Sequence, residues 1–428
     1  MTDEIVLTHA LRTPFARAGT ALRSVSAVEL GRQVVTELIA RSDIDPERVD
    51  EVVVGCAGSP AEASNIARVV ALRADLPQSI PASTVQRNCG SGFDAITTAA
   101  ERIRAGRATV VVAGAVESMS NYPLLFPESG RKQFTRIGGA RSWGGKLVAT
   151  AGLRPSHFRP RPAQRTGLTD PVSGLNMGET AEALAQEFGI KRERQDEFAL
   201  RSHQRAVTAE AAGEFDDERV DIFLPDEAPG VVDLDLGPRS GQSLEALNDL
   251  RPIFDRRHGT VTAGNSCQLT DGAAATLVMS GSAASELGYE PLGRLAGYAW
   301  AGVDPRRMGL GPSYAIPAAL EDAGRALDDM DRVEINEAFA AQVLAVQLCM
   351  RSRAFARDEL GASAPLGEVP EEILNVNGGA IAIGHPVGAT GMRLVATLLH
   401  SMQRNGLRHA LASLCIGGGQ GGAVVLER

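Results

Sequence analysis

Aromatic residues are scarce: Phe, Tyr and Trp make up 4% of 428 residues, with only 2 Trp and 4 Tyr. Together with 46 glycines, this points to tight helix–strand packing and many backbone turns, not to disorder. Cysteine is also sparse. The five stand at 56, 89, 267, 349 and 415, an odd number at wide spacings with no CxxC. These spacings argue against a disulfide framework and a structural zinc site, and a reducing, cytoplasmic compartment is expected. No run approaches the roughly 18 apolar residues of a membrane span. The opening MTDEIVLTHA lacks the basic and apolar regions of a secretory signal, and the closing VVLER is not a Ser-Lys-Leu address. Positive charge is in deficit, at net −9, which argues against nonspecific nucleic-acid binding.

The length suits two or three domains, and 44% hydrophobic with 22% charged residues suits a globular chain. Short apolar runs predict strands at Ile5–Leu7, Val52–Gly55, Val110–Ala113, Thr276–Met279, Ala410–Leu414 and Ala423–Leu426. Helical periodicity predicts helices at 29–40, 92–104, 179–188, 193–210, 336–350 and 388–403. The alternation implies an α/β architecture with buried sheets.

A weak internal repeat runs through the chain. Arg87-Asn88-Cys89-Gly90-Ser91-Gly92 precedes a helix, a basic turn and a strand. Gly384-His385-Pro386-Val387-Gly388-Ala389-Thr390-Gly391 precedes the same series. Two such halves facing each other would bring Cys89 and His385 together. Residues 122–260 differ, being rich in Pro, Gly and Arg. From Arg131 to Arg165 there are nine Lys/Arg and no Asp/Glu, either a solvated loop or a field for anionic phosphates.

Four places carry reactive groups. Cys89 precedes a helix with an apolar stripe, where the helix dipole favours a thiolate near neutral pH; the alternative is a structural cysteine. His385, fenced by glycine and proline, could take the proton of a nearby cysteine or be a satisfied core histidine. Cys415 opens Cys415-Ile416-Gly417-Gly418-Gly419-Gln420-Gly421-Gly422, whose glycines expose backbone N–H groups suited to an oxyanion. Its thiol could move a proton, or simply be buried beside a turn. Asn336 is either a helix N-cap or an amide that positions water or an oxyanion.

Taken together, LRTPFAR near the start, NCGSG at 88–92, MGETAE at 177–182, GTVTAGNS at 259–266, DGAAA at 271–275, NEAFAAQ at 336–342, NGGAIAIGHPVGATG at 377–391 and CIGGGQGG at 415–422 resemble the thiolases over nearly the whole length. SNIARVVAL, RSHQRA and the LRPIFDRRHGTVTA run are most similar to the thiolase subunit of fatty-acid oxidation complexes. NCGSG and NEAF are more similar to the common soluble thiolases.

The resemblance implies an acyltransferase that cleaves 3-ketoacyl-CoA with coenzyme A, or runs the reverse Claisen condensation, with coenzyme A as substrate and no permanent cofactor or metal. It implies acylation of Cys89, its activation by His385, enolate stabilisation by His385 and an Asn336-held water, and proton transfer by Cys415. The N–H groups of Cys89 and Gly417 form a second oxyanion hole. Met177, Arg239, Met308 and Phe339 lie along the coenzyme A path. Cys267 stands where common thiolases carry a serine touching coenzyme A or the acyl group; here a small buried residue is expected.

The implied fold is the thiolase fold, duplicated βαβαβαββ halves in a five-layered αβαβα core. Residues 1–121 with 270–291 form the N-terminal half, 122–269 an inserted loop domain covering coenzyme A, and 292–428 the C-terminal half. A homodimer or homotetramer, and a hydratase/dehydrogenase partner subunit, fit the resemblance. The competing readings are a ketoacyl-synthase-like condensing enzyme and a noncatalytic coenzyme A- or lipid-binding relative.

Overall fold

The computed structural model describes residues 3–225 and 230–428. Ten strands form its main sheet: β1 (Ile5–Arg12), β2 (Ala16–Arg17), β3 (Glu51–Gly55), β4 (Ala82–Val85), β5 (Val110–Ser118), β6 (Thr270–Ser280), β7 (Gly293–Gly302), β8 (Arg332–Ile335), β9 (His409–Ile416) and β10 (Gln420–Glu427). The helices that matter here are α1 (Ala27–Ser42), α2 (Ser91–Arg104), α3 (Met177–Glu187), α4 (Arg192–Ala211), α5 (Gly311–Ala323), α6 (Ala340–Met350) and α7 (Thr390–Asn405).

The strand order is β8-β9-β10-β7-β1-β6-β5-β3-β4, with β2 beside β6. It contains one pattern twice. From one edge, β4–β3 and β3–β5 are parallel, then β5–β6 and β6–β1 antiparallel. From the other, the Leu374–Val333 bridge and β8–β9 are parallel, then β9–β10 and β10–β7 antiparallel. The halves join where Val6 and Leu7 pair with Arg294 and Gly293. Single hydrogen bonds repeat too. Asp50 accepts from the backbone N–H groups of Thr109 (2.6 Å) and Val110 (3.0 Å), and Asp331 from those of Arg408 (2.8 Å) and His409 (3.0 Å).

Strands β5, β6, β9 and β10 are buried on both faces, which explains their continuous apolar runs. In β5, Val110, Val112 and Val116 pack on the side of α1, while Val111, Ala113 and Ala115 face the opposite side. That opposite side is shared: Phe93, Ile96 and Ala100 of α2 and Leu394, Val395 and Leu398 of α7 form one core with the inner faces of β5, β9 and β10. Helices α5 and α6 cover the outer face of the second half. The layers are thus helix, sheet, paired helices, sheet, helix.

The paired helices touch at their first turns. A Cβ on Gly92 would collide with the backbone N of Met392, and one on Gly391 would stand 2.8 Å from the backbone N of Phe93. Small residues are required here because the two backbones are in contact.

Every predicted strand and helix lies on or over an observed element, with longer bounds for most. One helix is corrected: that expected from 336 starts at Ala340. Residues 336–339 are held out of the helix, with the Cys267 N–H donating to the Ala338 carbonyl (3.0 Å) and Ser266 bridging Phe339, which is extended. Strands β4, β7 and β8 carry no continuous apolar signal and escaped the sequence reading.

The stretch between β5 and β6 is anchored to β1 by charge. Arg12 is fully buried and donates from Nε to Glu218 (2.5 Å) and from its two terminal nitrogens to Asp235 (2.8 and 2.7 Å). The basic part of this stretch forms short helices at Glu128–Gly139 and Trp143–Ala151, with Trp143 82% exposed.

Replacing Gly391 by Ala is expected to cost roughly 1–3 kcal/mol through overpacking. Chemical denaturation measures this, and an unchanged midpoint would contradict the contact.

Candidate active site

Cys89 lies in the turn between β4 and α2. Asn88 before it adopts φ 47°, a left-handed conformation that Asn tolerates better than most residues. Its Nδ2 donates to the Gly417 carbonyl at 2.8 Å. This bond hooks the Cys89 turn onto the β9–β10 hairpin, more than three hundred residues away. The hairpin turns through Gly417, Gly418 and Gly419, the last two at φ 92° and 83°, where a side chain would be strained. The Gly417 N–H is thereby placed on the Cys89 side of the turn, where it favours the thiolate.

Cys415, two residues before that glycine, points to the outer side of the sheet, into a cluster with Met177, Met308, Ala338 and Phe339. Burial lifts its thiol well above the usual range, and the neighbouring Cys89 and Cys267 add to the effect. Burial, then Cys89, pushes the Cys267 thiol up to about 12. Three sulfurs from distant parts of the chain therefore lie in one region, Cys89 through the Asn88–Gly417 bond and Cys267 through its N–H on the Ala338 carbonyl. Cys267 is half-buried there, not fully enclosed.

His385 joins them through the backbone. Its N–H donates to the carbonyl of Gln268, the residue after Cys267, at 2.8 Å. Its Nδ1 lies 2.6 Å from Thr390 Oγ1, at the start of α7. Asn336 follows β8 and donates its N–H to the Ser413 carbonyl (2.9 Å), so it is not a helix N-cap; Phe339 holds that place. Exposure is only 2% at Cys415, 4% at His385 and 1% at Asn336. Both amide atoms of Asn336 are buried with no partner among the described residues. An amide so placed is available to a guest oxygen, because leaving it unpaired is costly.

The four residues expected along a coenzyme A path divide. Met177 Sδ stands 3.1 Å from where a Cβ on Gly417 would be, so it lines the glycine turn. Met308 and Phe339 are buried in the Cys415 cluster, Phe339 edge-on to Phe254 at 6.1 Å. Arg239 is exposed, its N–H donating to His203 Nδ1 at 3.2 Å. Two residues earlier the Gly237 carbonyl accepts from Gln268 Nε2 at 3.3 Å, which ties this segment to the pocket wall.

Other motif residues stitch the pocket together. Glu182 on α3 accepts from the N–H groups of Thr260 (2.9 Å) and Val261 (2.7 Å). The Asn265 carbonyl accepts from the Ala340 N–H at 2.9 Å. Glu337 is buried and accepts from Ser202 Oγ (2.6 Å), Asn375 Nδ2 (2.9 Å) and the Ile381 N–H (3.2 Å). Sequence reading passed over Thr390 and Glu117. Glu117 could have been noticed as a carboxylate near the end of the otherwise apolar VVVAGAVES strand.

The electrostatics correct one expectation. Burial pushes the Cys89 thiol up to about 11, while the Gly417 and Cys89 N–H groups pull it down and Glu117 pushes it up. Burial, helped by the Arg393 charge, holds His385 down to about 4. Burial thus disfavours both the Cys89 thiolate and the His385 imidazolium, against the thiolate expected from the helix start. Desolvation outweighs the dipole here.

Two family models match the chain: the N-terminal domain of thiolase over residues 5–282 and the C-terminal domain of thiolase over 289–428. The chain belongs to the thiolase family. This thiolase is 43% identical to a 3-ketoacyl-CoA thiolase of Pectobacterium atrosepticum over 427 residues, 99% of this chain and 97% of that one. It is 41% identical to one of Escherichia coli strain 55989 over 426 residues, again 99% and 97%. Among solved structures, the Bacillus anthracis acetyl-CoA acetyltransferase superposes with TM-score 0.87 at 40% identity, covering 100% of this chain and 99% of that one. Human mitochondrial 3-ketoacyl-CoA thiolase in complex with CoA gives 0.84 at 37%, covering 100% and 98%. The duplicated five-layered architecture is therefore the thiolase fold.

The depressed His385 value sets a pH dependence. The unfolded imidazole binds a proton below about 6.5, and the folded one only near 4. Stability is therefore fully present above 6.5 and is lost as pH falls towards 4. His203, held down to about 4 by burial and Arg239, acts in the same sense. His385→Gln is expected to flatten the fall in thermal midpoint between pH 7 and pH 4.5; an equally steep fall would refute the assignment.

Proposed function

We propose that this thiolase cleaves 3-ketoacyl-CoA with coenzyme A, releasing acetyl-CoA and a shortened acyl-CoA, and runs the reverse Claisen condensation, through an acyl-enzyme on Cys89. The observation that carries the reading is the bond from Asn88 Nδ2 to the Gly417 carbonyl (2.8 Å), which seats Cys89 beside the turn that follows Cys415. The relatives' names support the substrate class. The basic segment from Arg131 to Arg165 and exposed Arg239 offer charge for the phosphates of coenzyme A.

In this mechanism His385 carries its own proton on Nδ1, donated to Thr390 Oγ1, which leaves Nε2 free as a base. As the Cys89 sulfur attacks the 3-keto carbon, its proton passes to Nε2. Neutral partners become an ion pair only while the carbon–sulfur bond forms, and that pair is favoured by the N–H groups of Gly417 and Cys89 around the developing oxyanion. Collapse of the adduct breaks the bond between the second and third carbons and leaves the acetyl-CoA enolate. His385, now protonated, and the unpaired Asn336 amide, through a water, stabilise its oxygen. Cys415 gives its proton to the enolate carbon. The resulting Cys415 thiolate takes the proton of an incoming coenzyme A thiol, whose sulfur attacks the acyl-enzyme. Cys89 leaves as thiolate and recovers its proton from His385. Atoms and protons balance, and the two half-reactions are separate.

Met177, Met308 and Phe339 line the pantetheine end of the path in this reading, and Cys267 narrows the pocket where a hydroxyl would otherwise donate a stronger hydrogen bond. Residues 1–121 with 270–291, 122–269 and 292–428 serve as the two halves and the covering insertion. The working form is proposed as a homodimer or homotetramer in the cytoplasm; among the described residues no helix is long and apolar enough to cross a membrane.

Cys89→Ala is expected to abolish thiolysis of acetoacetyl-CoA while coenzyme A still binds, as read by enolate absorbance and calorimetry. Asn336→Ala is expected to lower kcat about 100-fold by removing an oxyanion contact. Unchanged turnover in Cys89→Ala would refute the mechanism.

A further inference from the structure

The duplication assigns every active-site position a counterpart in the other half. Asp50 corresponds to Asp331 and Val110 to His409, because each aspartate accepts the same pair of N–H groups. Counting along the strands, Gly55 then matches Asn336, Val116 matches Cys415 and Glu117 matches Ile416. The contact of Gly92 with Gly391 matches Cys89 to Gly388. The mirror of the reactive pocket has thus lost every reactive group: glycine stands for Cys89, valine for Cys415 and glycine for Asn336.

What fills the mirror place is Glu117. Its Oε2 accepts from the N–H groups of Gly388 (2.9 Å) and Ala57 (3.1 Å), and its Oε1 from the Gly58 N–H (3.0 Å) and the Tyr122 hydroxyl (3.0 Å). A Cβ on residue 388 would lie 2.8 Å from Oε2, so the carboxylate occupies space that a side chain at the Cys89 counterpart would need. Glu117 is fully buried and near the end of β5, in the first half. Gly388 is in the second, in the turn that runs from His385 to Thr390. Ala57, Gly58 and Tyr122 thus fix the carboxylate within the half that carries Cys89, and its one bond to Gly388 fastens the histidine turn to that half. The titratable groups facing it are Tyr122, Cys56 and Cys89.

We infer that the degenerate mirror site has become a clamp, and that Glu117 is a positioning residue that sets His385 relative to Cys89 by holding Gly388. This rests on the proposed roles of Cys89 and His385. An amide at 117 keeps the volume but replaces one acceptor by a donor that would face an N–H group, so the turn must shift.

The test compares Glu117→Gln with Asp50→Asn, a carboxylate-to-amide change at the other end of β5 that also faces two backbone N–H groups. Both are expected to lower the thermal midpoint. Only Glu117→Gln is expected to lower kcat for acetoacetyl-CoA thiolysis, by about 100-fold, the scale of a misplacement near 1 Å, with KM for coenzyme A within about 2-fold. Its Cys89 is also expected to react with iodoacetamide at lower pH than in the parent, since a nearby negative charge is gone. Parent-like kcat in Glu117→Gln overturns the inference. So does a loss of kcat no larger than the loss of folded protein, or one matched by Asp50→Asn. If Cys89→Ala or His385→Gln retains parent turnover, the underlying mechanism fails instead, whatever Glu117→Gln does.

Discussion

The whole molecule is arranged around one backbone contact, the meeting of Gly92 and Gly391 at the first turns of α2 and α7. Two helices can approach so closely only where neither carries a side chain. Because each helix is entered through a turn that bears a reactive residue, the contact brings Cys89 and His385 to one region from opposite halves. The flanking strands follow from it. Their inner faces converge on the paired helices, which explains why β5, β6, β9 and β10 are apolar on both sides and why small alanines recur there.

Around this contact, buried carboxylates do what aromatic residues cannot do in so aromatic-poor a chain: they tie segments far apart in sequence. Glu182 holds the loop leading to Cys267, Glu337 holds three segments behind the pocket, and Arg12 with Glu218 and Asp235 holds the insertion to β1. Burial of this kind is costly to ionised groups unless their hydrogen bonds are satisfied, and these carboxylates sit among donors. The same burial works against charge on Cys89 and His385.

Much of this was legible in the sequence. Continuous apolar runs marked β1, β3, β5, β6, β9 and β10, and heptad-like spacing marked α1, α2 and α7. Cys89 and His385, each next to a glycine, and Cys415, just before a glycine run, stood out as reactive residues at turns. What escaped has physical reasons. β7 alternates partly exposed residues, and β4 is half-buried throughout, so neither reads as a buried strand. Helix α6 starts later than the periodicity predicts because residues 336–339 are held out of it by Cys267 and Ser266, tertiary contacts that no local pattern contains. The Cys89 thiol was placed too low because a helix start is visible in sequence while desolvation is not.

The inner sheet faces carry a final consequence. Each half leaves one side of its strands, and one flank of its central helix, apolar and covered only by the other half. A gene encoding a single half would yield a protein with that surface open to water, insoluble as a lone subunit. Joining the two halves in one chain keeps that surface covered at any protein concentration and leaves the two turns at the crossing free to differ, with Cys89 in one and Gly388 in the other.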